Sequence, residues 1–217
     1  MNIIAFNGSP RKNKNTATLL THALEGAASL GAKTKLIHLY DLNFKGCVSC
    51  FACKRKDSKT YGSCSYQDDL TLILEEIKKA DALIFGSPIF LGSISGEMKS
   101  FLERLVYPYL TYTKDYKTIF PRRIPTALFY TMNVTSKQMA ELNYIESLKR
   151  NEVFLERTFG SVETFYVNDT SQFEDYSKYE SSAFDLEKKA IVKKEQFPID
   201  CQKAFDLGKS FVKVALS

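Results

Sequence analysis

One stretch near the start of the chain limits what it can fold into. Ile3-Ile4-Ala5-Phe6 is an apolar run without alternation, the pattern of a strand buried on both faces of a parallel sheet. It stops at Gly8-Ser9-Pro10, and a small polar loop over residues 11–15 then enters an amphipathic helix. A helix N-terminus offers unpaired N–H groups and the positive end of a dipole, which together suit a phosphate. Ser9, Asn15, Thr16 and Thr18 add hydroxyl and amide donors, and Arg11 adds a planar charged fork. A phosphorylated cofactor is expected here.

The rest of the chain reads as walls around that loop. Residues 16–30 form a helix with Leu20, Ala23, Leu24 and Ala27 as its buried stripe, Asn15 as N-cap and Gly31 as its stop. Residues 33–40 read as a second strand, with His38 on a sheet edge. Residues 43–67 form a long polar connection carrying Cys47, Cys50, Cys53 and Cys64, and loops of that length are usually functional. Asp68 and Asp69 open the next helix, and Ala82-Leu83-Ile84-Phe85 is a third strand ending in a corner, Gly86 to Ser93. Ser95 caps a helix through Val106, on which Lys99 and Glu103 read as a surface pair and Arg104 as a structural anchor. Residues 107–123 are a Tyr-rich excursion, read as a lid or an oligomer surface. A fourth strand, 126–130, ends at Thr131-Met132-Asn133. A helix over 137–157, a strand over 161–167, a polar surface loop over 168–182 and a helix over 183–194 follow. Asp200 is expected to cap the last helix, where Cys201 is a small buried apolar residue.

This alternation predicts an α/β fold with a five-stranded parallel sheet in a three-layer, doubly wound domain spanning 1–217. Ligands in such sheets bind beyond the carboxyl ends of strands, and the corners after Phe6, Phe85 and Tyr130 all lie at such ends. The net charge of +5 comes without a basic block interleaved with aromatics, so no nucleic acid is expected as partner. No apolar run approaches membrane-spanning length, and the chain opens directly into a strand without a leader. A cytoplasmic location follows, in which five cysteines are expected as thiols, metal ligands or redox groups.

No G-x-x-x-x-G-K-[ST] loop is present, and Gly8 is the only glycine before the first helix, so the G-x-G-x-x-G fingerprint is absent too. What remains suits a terminal monophosphate, as in flavodoxin-type FMN sites. Gly8-Ser9-Pro10-Arg11 with Asn15-Thr16 resembles the phosphate loop of the NAD(P)H-dependent FMN reductase family of flavodoxin-like proteins. Asp68-Asp69-Leu70, Gly86-Ser87-Pro88-Ile89-Phe90 and Gly96-Glu97-Met98-Lys99 through Arg104 continue the resemblance in order to about residue 106. It implies that Ser9, Arg11, Asn15, Thr16 and Ala17 hold the FMN phosphate. Pro88, Ile89, Phe90, Leu91, Gly92 and Ser93 would pass along the flavin ring, and Thr131, Met132 and Asn133 match by position. Lys14 stands where the family often has Gly, and Phe90 where it often has Tyr. The implied activity is ping-pong transfer from NAD(P)H through FMN to a small-molecule acceptor such as a flavin or quinone, with a homodimer as the assembly. The chemistry would belong to the flavin, with no catalytic side chain.

Cys47-x2-Cys50-x2-Cys53-x10-Cys64 admits four readings: a [4Fe–4S] cluster, zinc, a disulfide switch, or bare thiols. The resemblance reaches an iron–sulfur flavoprotein branch that carries a cluster on this loop. That gives the alternative function, an iron–sulfur flavoprotein or electron carrier.

Overall fold

The computed structural model describes residues 1–216, with side chains through residue 213. Its strands are β1 (Asn2–Asn7), β2 (Lys33–His38), β3 (Ala82–Phe90), β4 (Ser93–Ile94), β5 (Ile124–Thr131) and β6 (Gly160–Val167). Five of them pair in parallel in the order β2-β1-β3-β5-β6, and β4 adds a two-residue antiparallel sixth strand beside β3. This is the flavodoxin-like strand order, with its switch point between β1 and β3. Its α-helices are α1 (Asn15–Ala28), α2 (Leu70–Ile77), α3 (Gly96–Val106), α4 (Ser136–Glu141), α5 (Tyr144–Phe159), α6 (Leu186–Ile191) and α7 (Phe197–Leu216), with a π-helical turn (Val192–Gln196) joining the last two. Among the described residues no helix is long and apolar enough to cross a membrane.

Strand residues alternate between two cores, because successive side chains leave a sheet on opposite faces. Ile3, Ala5, Ala82, Ile84, Ala127 and Phe129 pack against α1 and α7. Ile4, Phe6, Leu83, Phe85, Leu128 and Tyr130 pack against α2, α3 and α5. Phe6 stands beside Phe85 and against Phe101 of α3, 4.5 Å between centroids, which seats α3 under the switch point.

Four local expectations are corrected. The corner after Phe85 does not form: β3 runs on to Phe90, with Gly86, Ser87 and Pro88 paired to Phe129, Tyr130 and Thr131. Pro88 is tolerated because β1 pairing ends at Gly86, so no β1 carbonyl awaits the missing N–H. The turn comes instead at Leu91-Gly92, where φ is positive at both central residues, a primed hairpin into β4. Asn15 is the first helical residue rather than the N-cap, which is Lys14. The helix over 137–157 is two helices, broken at Asn143 (φ 55), with a Thr135–Gln138 capping box starting α4. Asp200 lies inside α7 and accepts from Gln196, because the helix runs continuously through the π turn next to Pro198.

Candidate cofactor-binding site

Asn7, wholly buried at the end of β1, shapes the first loop. Its Oδ1 accepts from the Ser9 N–H (3.0 Å), its amide donates to the Ser9 carbonyl (3.3 Å), and it faces His38 Nδ1 at 2.9 Å. The Gly8 N–H donates to the Gly86 carbonyl, binding the loop to β3. A Cβ at Gly8 would lie 2.9 Å from the Met98 Cβ, so only glycine lets the loop sit this close to α3. The Ser95 hydroxyl donates to the Gly8 carbonyl (2.6 Å) and accepts from Met98 N–H, and the Ser95 N–H donates to Ser87 Oγ (2.9 Å). A buried chain of hydroxyls therefore joins β3, α3 and the loop. Lys14 caps α1 without a side-chain bond, which leaves the first-turn N–H groups without a capping acceptor.

Above this loop lies a pocket of about 750 Å³, within the range of cofactor sites. Three strand ends meet there: Pro10, Arg11, Lys14 and Asn15 after β1, Pro88, Ile89 and Phe90 on β3, and Thr131, Met132 and Asn133 at the end of β5. Ser9, Thr16 and Ala17 are buried beneath it, and the Thr16 hydroxyl meets the Thr131 hydroxyl at 2.7 Å, fixing α1 to β5. Leu91, Gly92 and Ser93 stand apart from the pocket. Leu91 is fully exposed, and Gly92 backs onto the Tyr144 ring. Asn133 Oδ1 is buried without a hydrogen-bond partner.

The fourth wall was not foreseen. Residues 168–182, read as a surface loop, form a strap across the pocket. Arg11 donates to the Gln172 carbonyl (2.6 Å), Asn15 to the Ser171 carbonyl (3.0 Å), and Lys14 pairs with Glu174. Phe173 and Tyr179 stack 3.8 Å apart and line the pocket together. Buried Lys189 pairs with Asp169 at 2.6 Å and donates to the Asn133 carbonyl, anchoring the strap to the β5 end. The available signal was Phe173-x2-Tyr176-x2-Tyr179, aromatic spacing in an otherwise polar loop.

The Tyr-rich excursion lines none of this pocket. Tyr109 and Phe120 sink into the core against Phe159, and burial pushes the Tyr109 phenol up to about 12. Lys54 of the cysteine loop donates to the Tyr107 and Leu110 carbonyls and lies over the Tyr107 ring.

Cys47, Cys50, Cys53 and Cys64 line one small cavity together with Glu103, Arg104 and Tyr107. Glu103 forms no ion pair with Lys99; its carboxylate accepts from the Cys47 N–H (3.2 Å). The Ala52 N–H, then the Ser65 hydroxyl, hold the exposed Cys50 thiol below its ordinary range. Burial pushes Cys53 up against the pull of Lys54, and the other three sulfurs add to the rise. Zinc needs its ligands about 2.3 Å from one point. Among the described residues no three Cys, His, Asp or Glu side chains converge on a single ion. Cys201 is buried in α7 as expected.

A parallel sheet of this order, with a phosphate-type loop after β1 and a pocket across three strand ends, defines a flavodoxin-like flavoprotein. Residues 1–124 match the NADPH-dependent FMN reductase family, and the chain belongs to it. An iron–sulfur flavoprotein of Archaeoglobus fulgidus is 38% identical over 104 residues, 48% of each chain. Another, of Methanocaldococcus jannaschii, is 36% identical over 104 residues, 48% of this chain and 51% of its own. The matched region thus spans about half the length of these curated relatives. In fold, an NAD(P)H:quinone oxidoreductase from Methanothermobacter marburgensis superposes with a TM-score of 0.71 at 19% identity, covering 96% of this chain and 98% of its own.

Proposed function

We propose that this protein is an FMN-dependent oxidoreductase that takes hydride from NAD(P)H and reduces a flavin, quinone or similar small acceptor, the two substrates using one open face in turn. The observation that carries this reading is the convergence of three strand ends on a pocket whose floor is an uncapped helix N-terminus. Ser9, Arg11, Asn15, Thr16 and Ala17 would hold the phosphate. Pro88, Ile89 and Phe90 would flank the ring on one side and Thr131, Met132 and Asn133 on the other, with Leu91, Gly92 and Ser93 completing the hairpin. The orphaned Asn133 Oδ1 is an acceptor suited to an N–H on the ring's polar edge. Bound FMN would supply the hydride chemistry; the chain supplies binding, orientation and a half-covered face. Phe173 and Tyr179 on the strap exclude water from that face. Anaerobic protein loaded with FMN should oxidise NADH or NADPH in the presence of a quinone or free flavin. Failure with every such acceptor would refute the reading. The exposed Tyr112 and Tyr116 support a homodimer, checked by light scattering.

A second reading is favoured by the four thiols on one cavity: a [4Fe–4S] cluster held by Cys47, Cys50, Cys53 and Cys64. The iron–sulfur relatives named above support it. An anaerobic spectrum with iron and sulfide assays separates the two: a flavin doublet alone supports the reductase, and added broad thiolate-to-iron absorption supports the cluster.

A further inference from the structure

Arg104 is a charged side chain only 2% exposed, yet one carboxylate does not account for its placement. Its guanidinium pairs with Asp68 and donates to the Lys45 carbonyl (3.1 Å), to the Tyr66 carbonyl (2.8 Å) and, through Nε, to Cys64 Sγ (3.3 Å). These four acceptors lie on both flanks of the cysteine loop. The neighbouring residue, Glu103, takes the Cys47 N–H. One turn of α3 thus clasps the loop where it leaves and where it returns. Between the clasps, the Gly62 N–H donates to the Cys53 carbonyl, and turns at 55–58 and 58–61 fold the spacer back. The ten residues between Cys53 and Cys64, long for a compact ligand set, are therefore taken up as a closed excursion.

Burying a guanidinium is costly unless its partners repay the desolvation. Backbone carbonyls alone would be served as well by a neutral amide. The Asp68 carboxylate answers the charge, and the Nε–H adds a bond to sulfur that strengthens as the sulfur becomes negative. Partners of this kind fix ligand orientation and tune the group that the ligands hold.

We propose that Arg104 is the positioning residue of the four-cysteine site, its Nε–H···S bond holding the Cys64 sulfur beside Cys47, Cys50 and Cys53 before any metal binds. The proposal deepens the cluster reading and rests on it for its consequence, though the bond itself is independent of iron.

Two measurements on the full chain test it. In metal-free, reduced, 15N-labelled protein, the Arg104 Nε–H resonance should be protected from exchange. It should shift in Cys64→Ala and stay in place in Cys50→Ala. In the second arm, Arg104→Lys and Arg104→Gln are reconstituted anaerobically with ferrous iron and sulfide. Both should lose roughly tenfold or more in iron affinity. The midpoint potential of what does load should fall in the Gln variant and recover in part in the Lys variant, which keeps the charge. A resonance unmoved by Cys64→Ala overturns the proposal, as does wild-type affinity and potential in both Arg104 variants. If wild-type protein takes up no iron, the cluster reading fails, and the first arm alone decides the bond. The first arm also decides if the Arg104 variants do not fold.

Discussion

Replacing Gly208 by alanine tests how the first loop is held in place. Gly208 of α7 crosses α1 so closely that a Cβ there would lie 1.8 Å from the Ala23 carbonyl oxygen and 2.8 Å from its carbon. The contact is reciprocal: a Cβ on Gly26 would lie 1.9 Å from the Phe205 carbonyl oxygen. Both obstacles are backbone, so no rotamer change can relieve them. The helices would have to part by roughly 1.5 Å to restore a separation near 3.5 Å. That opens the seam of Ala23, Leu24, Ala27, Ala204, Leu207 and Phe211. Overpacking of this kind costs about 1–3 kcal/mol or more, against a gain of about 1 kcal/mol from helix propensity. With both clashes against backbone the upper end of that range applies, so the net expectation is a loss of about 2 kcal/mol, read as a lower urea midpoint with unchanged slope. Because α1 carries the proposed phosphate loop at its other end, FMN affinity should fall as well. Gly26→Ala should behave alike, and the double variant should cost less than the sum, since one separation relieves both clashes. A Gly208→Ala protein that melts at or above wild type would show that propensity alone acts there, and the close crossing would be refuted.

Ser95→Ala should cost about 2–3 kcal/mol in urea melts, from a lost cap on α3 and a buried Gly8 carbonyl left without its donor; an unchanged midpoint would refute that accounting. Arg11→Ala removes an exposed guanidinium and its bond to the Gln172 carbonyl, so FMN should bind on the order of tenfold more weakly with the melting curve unchanged. Equal affinity would mean that backbone N–H groups and hydroxyls carry the phosphate. Burial pushes the Cys201 thiol to about 11, from an ordinary 9.0. Its folded value is raised, so its contribution is fully present below pH 9 and is lost as pH rises toward 11, by up to about 1.4 kcal/mol per unit. Cys201→Ala should flatten that part of the alkaline slope when urea melts at pH 8 and pH 10 are compared.

Much of the fold was legible because both periodicities were intact. Unbroken apolar runs at Ile3, Ala82 and Thr126 became the central strands, and the stripes of α1, α2 and α3 face the cores as spaced. Errors arose where one residue has two physical readings. Gly86-Ser87-Pro88 has turn composition, yet the β1 neighbour ends at Gly86, just before Pro88 would break that ladder, so the segment stays extended beside β5. Asn143 looks like an ordinary helix residue until its left-handed conformation breaks the helix. The strap was invisible for another reason. Its role rests on carbonyls of Ser171 and Gln172 meeting side chains some 160 positions earlier, and backbone acceptors carry no sequence signature. Arg104 was read as an anchor, but two of its four acceptors are backbone carbonyls, which carry no sequence signature.

The two candidate sites share α3. Ser95 caps it at the cofactor pocket, and Glu103 and Arg104 clasp the cysteine loop eight and nine residues further on, about 12–14 Å along the axis. Between them Phe101 is locked against Phe6 and Phe85 in the core. A loop of this length would by itself let the thiols wander, whereas attachment to a helix fixed on the sheet sets their position relative to the pocket. The two ends nevertheless rest on separate contacts: hydroxyls at the cap, a guanidinium and a carboxylate at the clasp. Damage at Ser95 should therefore weaken flavin binding and leave the Arg104 Nε–H resonance in place. Damage at Arg104 should release Cys64 and leave flavin affinity unchanged. Were either substitution to disturb both sites equally, α3 would be transmitting strain rather than setting distance, and the separation of roles drawn from its contacts would be wrong.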